Sequence, residues 1–309
     1  MFRGTVLFGI NSIYTVLMKD GAEVRCRIKG KVLASDERAY NPVAAGDEVE
    51  VSVDSKDHSS GMLVRALPRR TVLARWNAKG RARQVIAANA DIALCLTSPQ
   101  SPPFRPRFID RVIAAAEEGG MEVFIAVNKT DLGINPEVED RIEDFRRIGY
   151  RVFFCSAITG EGISELAAAL SGRTVALIGQ SGVGKSSILN AMDPSLSLKV
   201  GEVSQKYDRG SHTTNYAVMA RTAEGLSIID TPGIRELVLA DVLPDELAYR
   251  FREFEAPAGS CQVPVCKHDG EPGCAVRAAV EAGEIHPDRY ESYLRMLSEL
   301  RDSRRARYG

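Results

Sequence analysis

Apolar and polar residues alternate with a period near two from Gly4 to about residue 67, in short runs broken by turn residues. The runs are GTVLFGI, YTVLM, EVRCRI, DEVEVSV and MLVRAL, punctuated by Asp20-Gly21, a Pro42 to Asp47 turn and Ser60-Gly61. Closely spaced strands of this kind predict a small β-barrel over residues 1–67. From about Ala88 the rhythm changes. DIALCLTS, EVFIAVNK, RVFFCSA and TVALIG read as strands, with helical FIDRVIAAAEEGG, EVEDRIEDFRRIG and GISELAAAL between them. Strands alternating with helices predict an α/β domain over 88–240, a parallel sheet covered on both faces. Between the two units, Pro68 to Arg83 has poor periodicity and reads as a basic linker or mobile loop, giving a boundary segment at 68–87. After Asp230 the pattern turns helical, with DELAYRFREF and then two amphipathic stretches, CAVRAAVEAG and PDRYESYLRMLSELRDSRRARYG. These predict a third, mostly helical unit over 241–309.

Composition adds bounds. A chain of 309 residues, 44% hydrophobic and 26% charged, has room for two or three domains, each burying a core of its own. The longest apolar stretches, such as Val123 to Val127, fall far short of the roughly 20 residues that span a bilayer. The N-terminal run is broken by Gly9, Asn11 and Ser12 and carries no cleavage signal, so a cytoplasmic, membrane-free protein is expected. A net charge of -1 gives no global pull on nucleic acid. One local patch stands out: Arg65, Arg69, Arg70, Arg75, Lys79, Arg81 and Arg83 surround the single tryptophan, Trp76, with no acid among them. It could neutralise phosphates and stack a base, or be a solvated linker.

The string GQSGVGKS runs from Gly179 through Gln180, Ser181, Gly182, Val183, Gly184 and Lys185 to Ser186, directly after a predicted strand and before the helical SSILNAM that continues with Ser187. That is the phosphate-loop pattern in its required context. Its backbone N–H groups would wrap a β-phosphate, Lys185 would reach the β- and γ-oxygens, and the Ser186 hydroxyl would ligate Mg2+. Asn128, Lys129, Thr130 and Asp131 form NKTD at the end of a strand. It is either a polar turn or a guanine reader, since the Asp131 carboxylate can accept from guanine N1–H and its 2-amino group, and adenine offers neither. Ser156 and Ala157 end the next strand and are small enough to let a backbone N–H approach guanine O6. Asp230 to Gly233, DTPG, supplies the acid expected to hold Mg2+ and a Gly233 N–H for the γ-phosphate. In the polar loop DRGSHTT between these motifs, Thr213 and Thr214 both qualify as a further Mg2+ ligand, with Thr214 preferred. Where a water-positioning glutamine would follow the DTPG glycine, this chain has Ile234, which can neither orient nor deprotonate water. His212, in the loop expected to close over the γ-phosphate, is the candidate for that work; the other reading is a surface histidine.

Of six cysteines, Cys26, Cys95 and Cys155 lie singly in strand-like runs and read as core packing. The spacing Cys261-x4-Cys266-x-His268-x5-Cys274 supplies three thiols and one imidazole, enough to close a structural Zn2+ site, the alternative being unliganded thiols.

Taken in order, NKTD, SA, GQSGVGKS, SHTT and DTPG are a GTPase motif set in circularly permuted order. With a barrel before them, a Cys-Cys-His-Cys unit after them, and the strings AANAD (Ala87 to Asp91) and DTPGIRE (Asp230 to Glu236), the chain resembles the ribosome small subunit-dependent GTPase A family along nearly its whole length. The resemblance implies an N-terminal OB-fold contacting ribosomal RNA and a zinc-binding C-terminal domain. It also implies a GTPase, stimulated by the small (30S) subunit, that acts late in that subunit's maturation. One departure is Ser211, where the family usually has Arg. The leading expectation is a monomeric GTP hydrolase that binds 30S rRNA and is released on hydrolysis. A nucleotide-gated RNA-binding module with incidental turnover is the alternative. An ATP-driven nucleic-acid enzyme is disfavoured by Asn128 and Asp131.

Overall fold

The first five strands are β1 (Phe2–Ile10), β2 (Ile13–Met18), β3 (Glu23–Ile28), β4 (Glu48–Val53) and β5 (Ser60–Ala66). They close into a barrel in the order β1-β2-β3-β5-β4. Only β3 and β5 pair in parallel, the connectivity of an OB-fold. The period-two alternation turns Val6, Val16, Val24, Val49, Val51 and Leu63 inward to a core of their own. A computed structural model describes the protein over residues 1–28, 40–77, 81–194, 217–222, 225–231 and 237–308.

The barrel is fastened to the α/β domain. Gly46 has φ +88°, and a Cβ there would collide with the Ala88 carbonyl and Ile229, so only glycine lets the two backbones approach. Beside it, the Ala88 N–H donates to the Ala45 carbonyl at 3.0 Å. Arg69 forks onto the fully buried Asp47 carboxylate at 2.7 Å through both Nε and a terminal nitrogen.

The segment expected to be a linker is instead a hairpin. Strands β6 (Val72–Asn77) and β7 (Ala82–Ala88) pair antiparallel from Val72↔Ala88 to Asn77↔Ala82. Its outer neighbours explain why it is not loose. On one side Tyr40 N–H donates to the Arg83 carbonyl, and the Asn41 side chain donates to and accepts from Val85. On the other, Trp76 N–H donates to the Val238 carbonyl and Arg75 bridges Leu239.

The α/β domain follows the expected alternation: β8 (Ile92–Thr97), α1 (Pro106–Glu118), β9 (Glu122–Asn128), α2 (Pro136–Arg147), β10 (Arg151–Cys155), α3 (Ile163–Leu170), β11 (Thr174–Gly179) and α4 (Lys185–Met192). Two short strands, β12 (Val218–Arg221) and β13 (Ser227–Asp230), complete a sheet of order β10-β9-β8-β11-β13-β12, parallel except at β12. β8 is buried on both faces because its side chains alternate between two cores: Ala93 and Cys95 face α1 and α2, while Ile92, Leu94 and Leu96 face α3 and α4. Helix α2 shows the local logic of a start: Asn135 caps it by accepting from the Val138 N–H at 2.9 Å, with Pro136 at the first helical position and Glu137 and Glu139 in the first turn.

The C-terminal unit holds α5 (Glu255–Ala258), α6 (Ala275–Glu281) and α7 (Pro287–Tyr308). DELAYRFREF does not make the single helix expected. Phe251 is extended (φ -117°, ψ 90°) between two 3-10 turns, Leu247–Arg250 and Arg252–Phe254. The break sends both Phe251 and Phe254 inward against Tyr293, and apolar burial outweighs helical continuity. These rings belong to the same continuous core as Ile109 and Ile113 of α1, so this unit shares a core with the α/β domain. Across that junction, buried Arg289 of α7 pairs with Asp110 of α1 at 2.7 Å and with Glu253 at 2.6 Å, while Arg141 of α2 pairs with Asp110 at 2.9 Å. Among the described residues no helix is long and apolar enough to cross a membrane.

Candidate nucleotide site and metal centre

Parallel strands deliver their C-terminal ends to one edge, and ligands bind where the strand order reverses. Here that point lies between β8 and β11, because β9 and β10 continue on one side of β8 and β11 lies on the other. The predicted motifs gather at this edge: NKTD after β9, Ser156-Ala157 after β10, the phosphate loop after β11, and Asp230 at the end of β13.

Asn128 is the junction. It is 1% exposed; its Nδ2 donates to the Val183 carbonyl at 2.9 Å and its Oδ1 accepts from the Ala157 N–H at 3.1 Å. One side chain therefore ties the NKTD turn and the Ser156-Ala157 segment to the phosphate loop. Gly184 makes this possible: it sits at φ +95°, and a Cβ would strike Asn128 Nδ2. The Ala157 N–H is thus engaged with Asn128. Lys129, at φ +68°, donates from Nζ to the Gly182 carbonyl at 2.8 Å and the Ser101 carbonyl at 2.5 Å. Thr130 Oγ1 donates to the Cys155 carbonyl at 3.1 Å, and Ser156 Oγ donates to Asp131 Oδ1 at 2.5 Å. Asp131 itself is exposed.

The phosphate end differs. Gln180 to Gly184 loop between β11 and α4, with Gly182 at φ +82°, and α4 begins at Lys185. Lys185 Nζ donates to the Gly179 and Gln180 carbonyls at 3.1 and 3.4 Å. Burial lowers its pKa, and the Asp230 charge opposes that shift. Burial pushes the Asp230 carboxyl up to about 6 despite Lys185, and among the described residues its buried Oδ1 has no hydrogen-bond partner. Ser186, 7% exposed, follows Lys185 in the first turn of α4. A buried, partnerless carboxylate oxygen in a phosphate-loop site fits a divalent cation. Next to it Thr231 is fixed by Oγ1–H donation to the Leu177 carbonyl at 2.8 Å. His212, Thr213, Thr214 and Gly233 lie outside the described residues.

The second centre is Cys261, Cys266, His268 and Cys274, whose ligand atoms all lie within 4.8 Å of one another. His268 Nδ1 is 3.7 Å from Cys261 Sγ and 3.5 Å from Cys274 Sγ. Those are the edges of a tetrahedron built on Zn–N and Zn–S bonds of about 2.0 and 2.3 Å. Burial lowers the His268 pKa, which keeps the imidazole neutral and able to ligate. Burial and the neighbouring thiols push Cys266 up to about 12. The loop is shaped from outside: Glu271 accepts the Lys267 and Asp269 N–H groups at 2.8 and 2.7 Å, and Tyr290 Oη donates to the His268 carbonyl at 2.6 Å. The set could hold a metal ion.

One contributor escaped the sequence reading. The loop after β8, residues 98–102, meets the NKTD turn through the Ser101 carbonyl and the Gln100 side chain, and no motif marks it.

A phosphate loop, an NKTD tetrapeptide on a strand that precedes it in the chain, and an acid on the neighbouring strand define a P-loop GTPase with circularly permuted motifs, here preceded by an OB-type barrel and followed by a Cys3His unit. The family model described as RsgA GTPase matches residues 66–240, and the chain belongs to that family. The small ribosomal subunit biogenesis GTPase RsgA of Borreliella burgdorferi (strain ZS7) is 39% identical over 298 residues, covering 96% of each chain. Among solved structures, YjeQ from Thermotoga maritima is 31% identical with a TM-score of 0.74 over 97% of this chain and 98% of that one. YloQ, described as a circularly permuted GTPase, is 27% identical with a TM-score of 0.70 over 98% and 96%.

Proposed function

We propose that this chain hydrolyses GTP in the biogenesis of the small (30S) ribosomal subunit, binding the subunit's RNA in the GTP state and leaving on hydrolysis. The observation that carries the nucleotide half is the Asn128 junction, which locks the base reader to the phosphate loop through one buried side chain. The ribosomal half is supported by relatives named for that role that match 96% of the chain; it would place the protein in the cytoplasm, where subunits assemble.

In this reading Asp131 accepts from guanine N1–H and the 2-amino group, and Lys129 anchors the reader to Gly182. Ser156 and Ala157 stay small so that the base edge can approach. The backbone from Gln180 to Ser187 cradles the phosphates, and Lys185 leaves its carbonyl partners for the β- and γ-oxygens. The Ser186 hydroxyl and Asp230 carboxylate, with Thr214 or Thr213, are the donors for Mg2+. Mg2+ bound with the triphosphate supplies neutralisation of charge developing on the β- and γ-oxygens. Gly233 offers an N–H to the γ-phosphate, and His212 orients water and accepts its proton, a task open to imidazole and closed to Ile234. The Cys3His set would hold Zn2+ with all four positions filled, a structural role.

The test is GTP turnover with and without purified small subunits, together with co-sedimentation in the states of a non-hydrolysable GTP analogue and of GDP. Stimulated turnover and analogue-dependent binding are expected. Unstimulated turnover with equal binding in both states would overturn the ribosomal reading.

A further inference from the structure

We infer that the loop between β8 and α1 braces the guanine-reading turn, and that Gln100 is a positioning residue for nucleotide selectivity. The inference rests on the reading of Asp131 as the guanine acceptor.

Asp131 is carried by one 3-10 turn, Thr130–Leu132, entered through Lys129 at φ +68° and left through Gly133 at φ +81°. The turn's own bonds are two: Leu132 N–H to the Lys129 carbonyl at 3.1 Å and Gly133 N–H to the Thr130 carbonyl at 2.9 Å. So short a turn cannot hold its own orientation and must be held by its neighbours. On the β10 side Thr130 and Ser156 do this. On the opposite side a single amide nitrogen, Gln100 Nε2, donates to the Leu132 carbonyl at 2.7 Å and to the Gly133 carbonyl at 3.0 Å. Lys129 Nζ reaches the same loop at the Ser101 carbonyl. The brace is itself fixed: Ser98, 1% exposed, donates from Oγ to the Pro102 carbonyl at 3.2 Å and accepts the Ser101 N–H at 3.1 Å. Gln100 therefore clamps the two carbonyls just past Asp131 to a rigid loop, and the carboxylate is held from both sides.

Gln100 is exposed, so its truncation alone should leave global stability nearly unchanged. What it should change is selectivity. Inosine triphosphate lacks the 2-amino group, so it depends less than GTP on where the Asp131 carboxylate points. In Gln100→Ala the affinity for GTP should fall about fivefold, as expected for two lost hydrogen bonds partly replaced by water. Affinity for inosine triphosphate should change much less, so the ratio between the two narrows, while kcat at saturating GTP and the thermal midpoint stay at the parent's values. Gln100→Glu keeps the length but points an acceptor at two carbonyls, and should narrow the ratio at least as far. An unchanged ratio in Gln100→Ala overturns the brace. The underlying reading is checked with Asp131→Asn, which should move preference from GTP to xanthosine triphosphate because the new amide can donate to the 2-oxo group. If that variant keeps the parent preference, the guanine reading itself fails. If it shifts and Gln100→Ala does not, only the brace is lost.

Discussion

The two ends of the nucleotide site are built on opposite principles. At the base end the polar side chains are matched within the protein: Asn128 spans to Val183 and Ala157, Thr130 to Cys155, Ser156 to Asp131. At the phosphate end, among the described residues, Asp230 keeps a buried oxygen with no partner and Lys185 donates to the Gly179 and Gln180 carbonyls. A recognition surface gains from being rigid before its ligand arrives. A site for a doubly charged cation and a triphosphate must instead keep charge unsatisfied, and the protein bears that cost in stability.

The largest effects should come from the phosphate end. Lys185→Ala and Asp230→Asn should each lower GTP turnover roughly a hundredfold or more, the size expected when a preorganised charge is removed from a transition state. Affinity for GDP should fall far less in Asp230→Asn than in Lys185→Ala, since the lysine is the group proposed to meet the β-phosphate as well. Single-turnover hydrolysis and GDP titration check both; near-parent turnover in Asp230→Asn would erase the contrast between the two ends.

The same carboxylate gives a stability signature. Its folded pKa of about 6 exceeds its ordinary 3.8, so folding takes up a proton in that window. The group's favourable contribution is complete below the lower value and is lost as pH rises through the upper one. In nucleotide-free, metal-free protein, Asp230→Asn should therefore be the more stable form at pH 7.5, by at most about 3 kcal/mol for a shift of this size. The gain should shrink toward pH 4. Thermal unfolding at the two pH values measures it, and a gain independent of pH would assign it to something other than ionisation.

Breaking the base end should look different. Asn128→Ala leaves the Val183 carbonyl and Ala157 N–H without their partner, costing about 1–3 kcal/mol. The loss should fall equally on GTP and GDP affinity, because the γ-phosphate is not involved, with turnover at saturation little changed. Nucleotide titrations that show a preferential loss for GTP would contradict the division of labour between the ends.

Sequence legibility follows the same division. Motifs whose chemistry is local can be read directly: the phosphate loop needs its glycines and lysine within eight positions, and β8 to β11 announce themselves by apolar runs between helical stretches. What stays hidden depends on distant partners. The hairpin of Val72–Asn77 and Ala82–Ala88 reads as a linker because its alternation is masked by Arg75, Arg83 and Gln84. Only the folded chain brings Arg75 and Asn77 onto Gln84, and Arg83 onto Asp241. Phe251 reads as helical because only the buried ring of Tyr293 pulls it out of a helix. Arg289 reads as one more polar residue of an amphipathic helix, and nothing near it in sequence reveals Asp110, 179 residues away. Gln100 carries no signal at all in a loop of prolines.

The hairpin supplies the smallest and most pointed prediction. The permuted order makes DTPG the last motif of the GTPase domain, which on sequence alone suggests that its switch runs straight into the C-terminal unit. Yet the chain just beyond it is held to the hairpin: Val238 by Trp76, Leu239 by Arg75, and Asp241 by both arms of Arg83 at 2.6 and 2.8 Å. The hairpin's other edge meets residues 40 and 41, next to the barrel. The C-terminal unit, in contrast, is bolted to α1 and α2 through Asp110 and Arg141. These contacts tie the chain that leaves the switch to the barrel side of the molecule, and the expectation they motivate is that coupling runs toward the barrel rather than toward the Cys3His unit. Arg83→Gln removes a half-exposed ion pair worth no more than about 1 kcal/mol, so basal turnover and GTP affinity should stay at the parent's level. Stimulation of turnover by small subunits should weaken, because the barrel, proposed to contact the subunit, and the switch exit lose a shared tie. The paired change Asp241→Asn should add nothing further once Arg83 is gone. Full stimulation in Arg83→Gln would return the coupling to the direct route through the C-terminal unit.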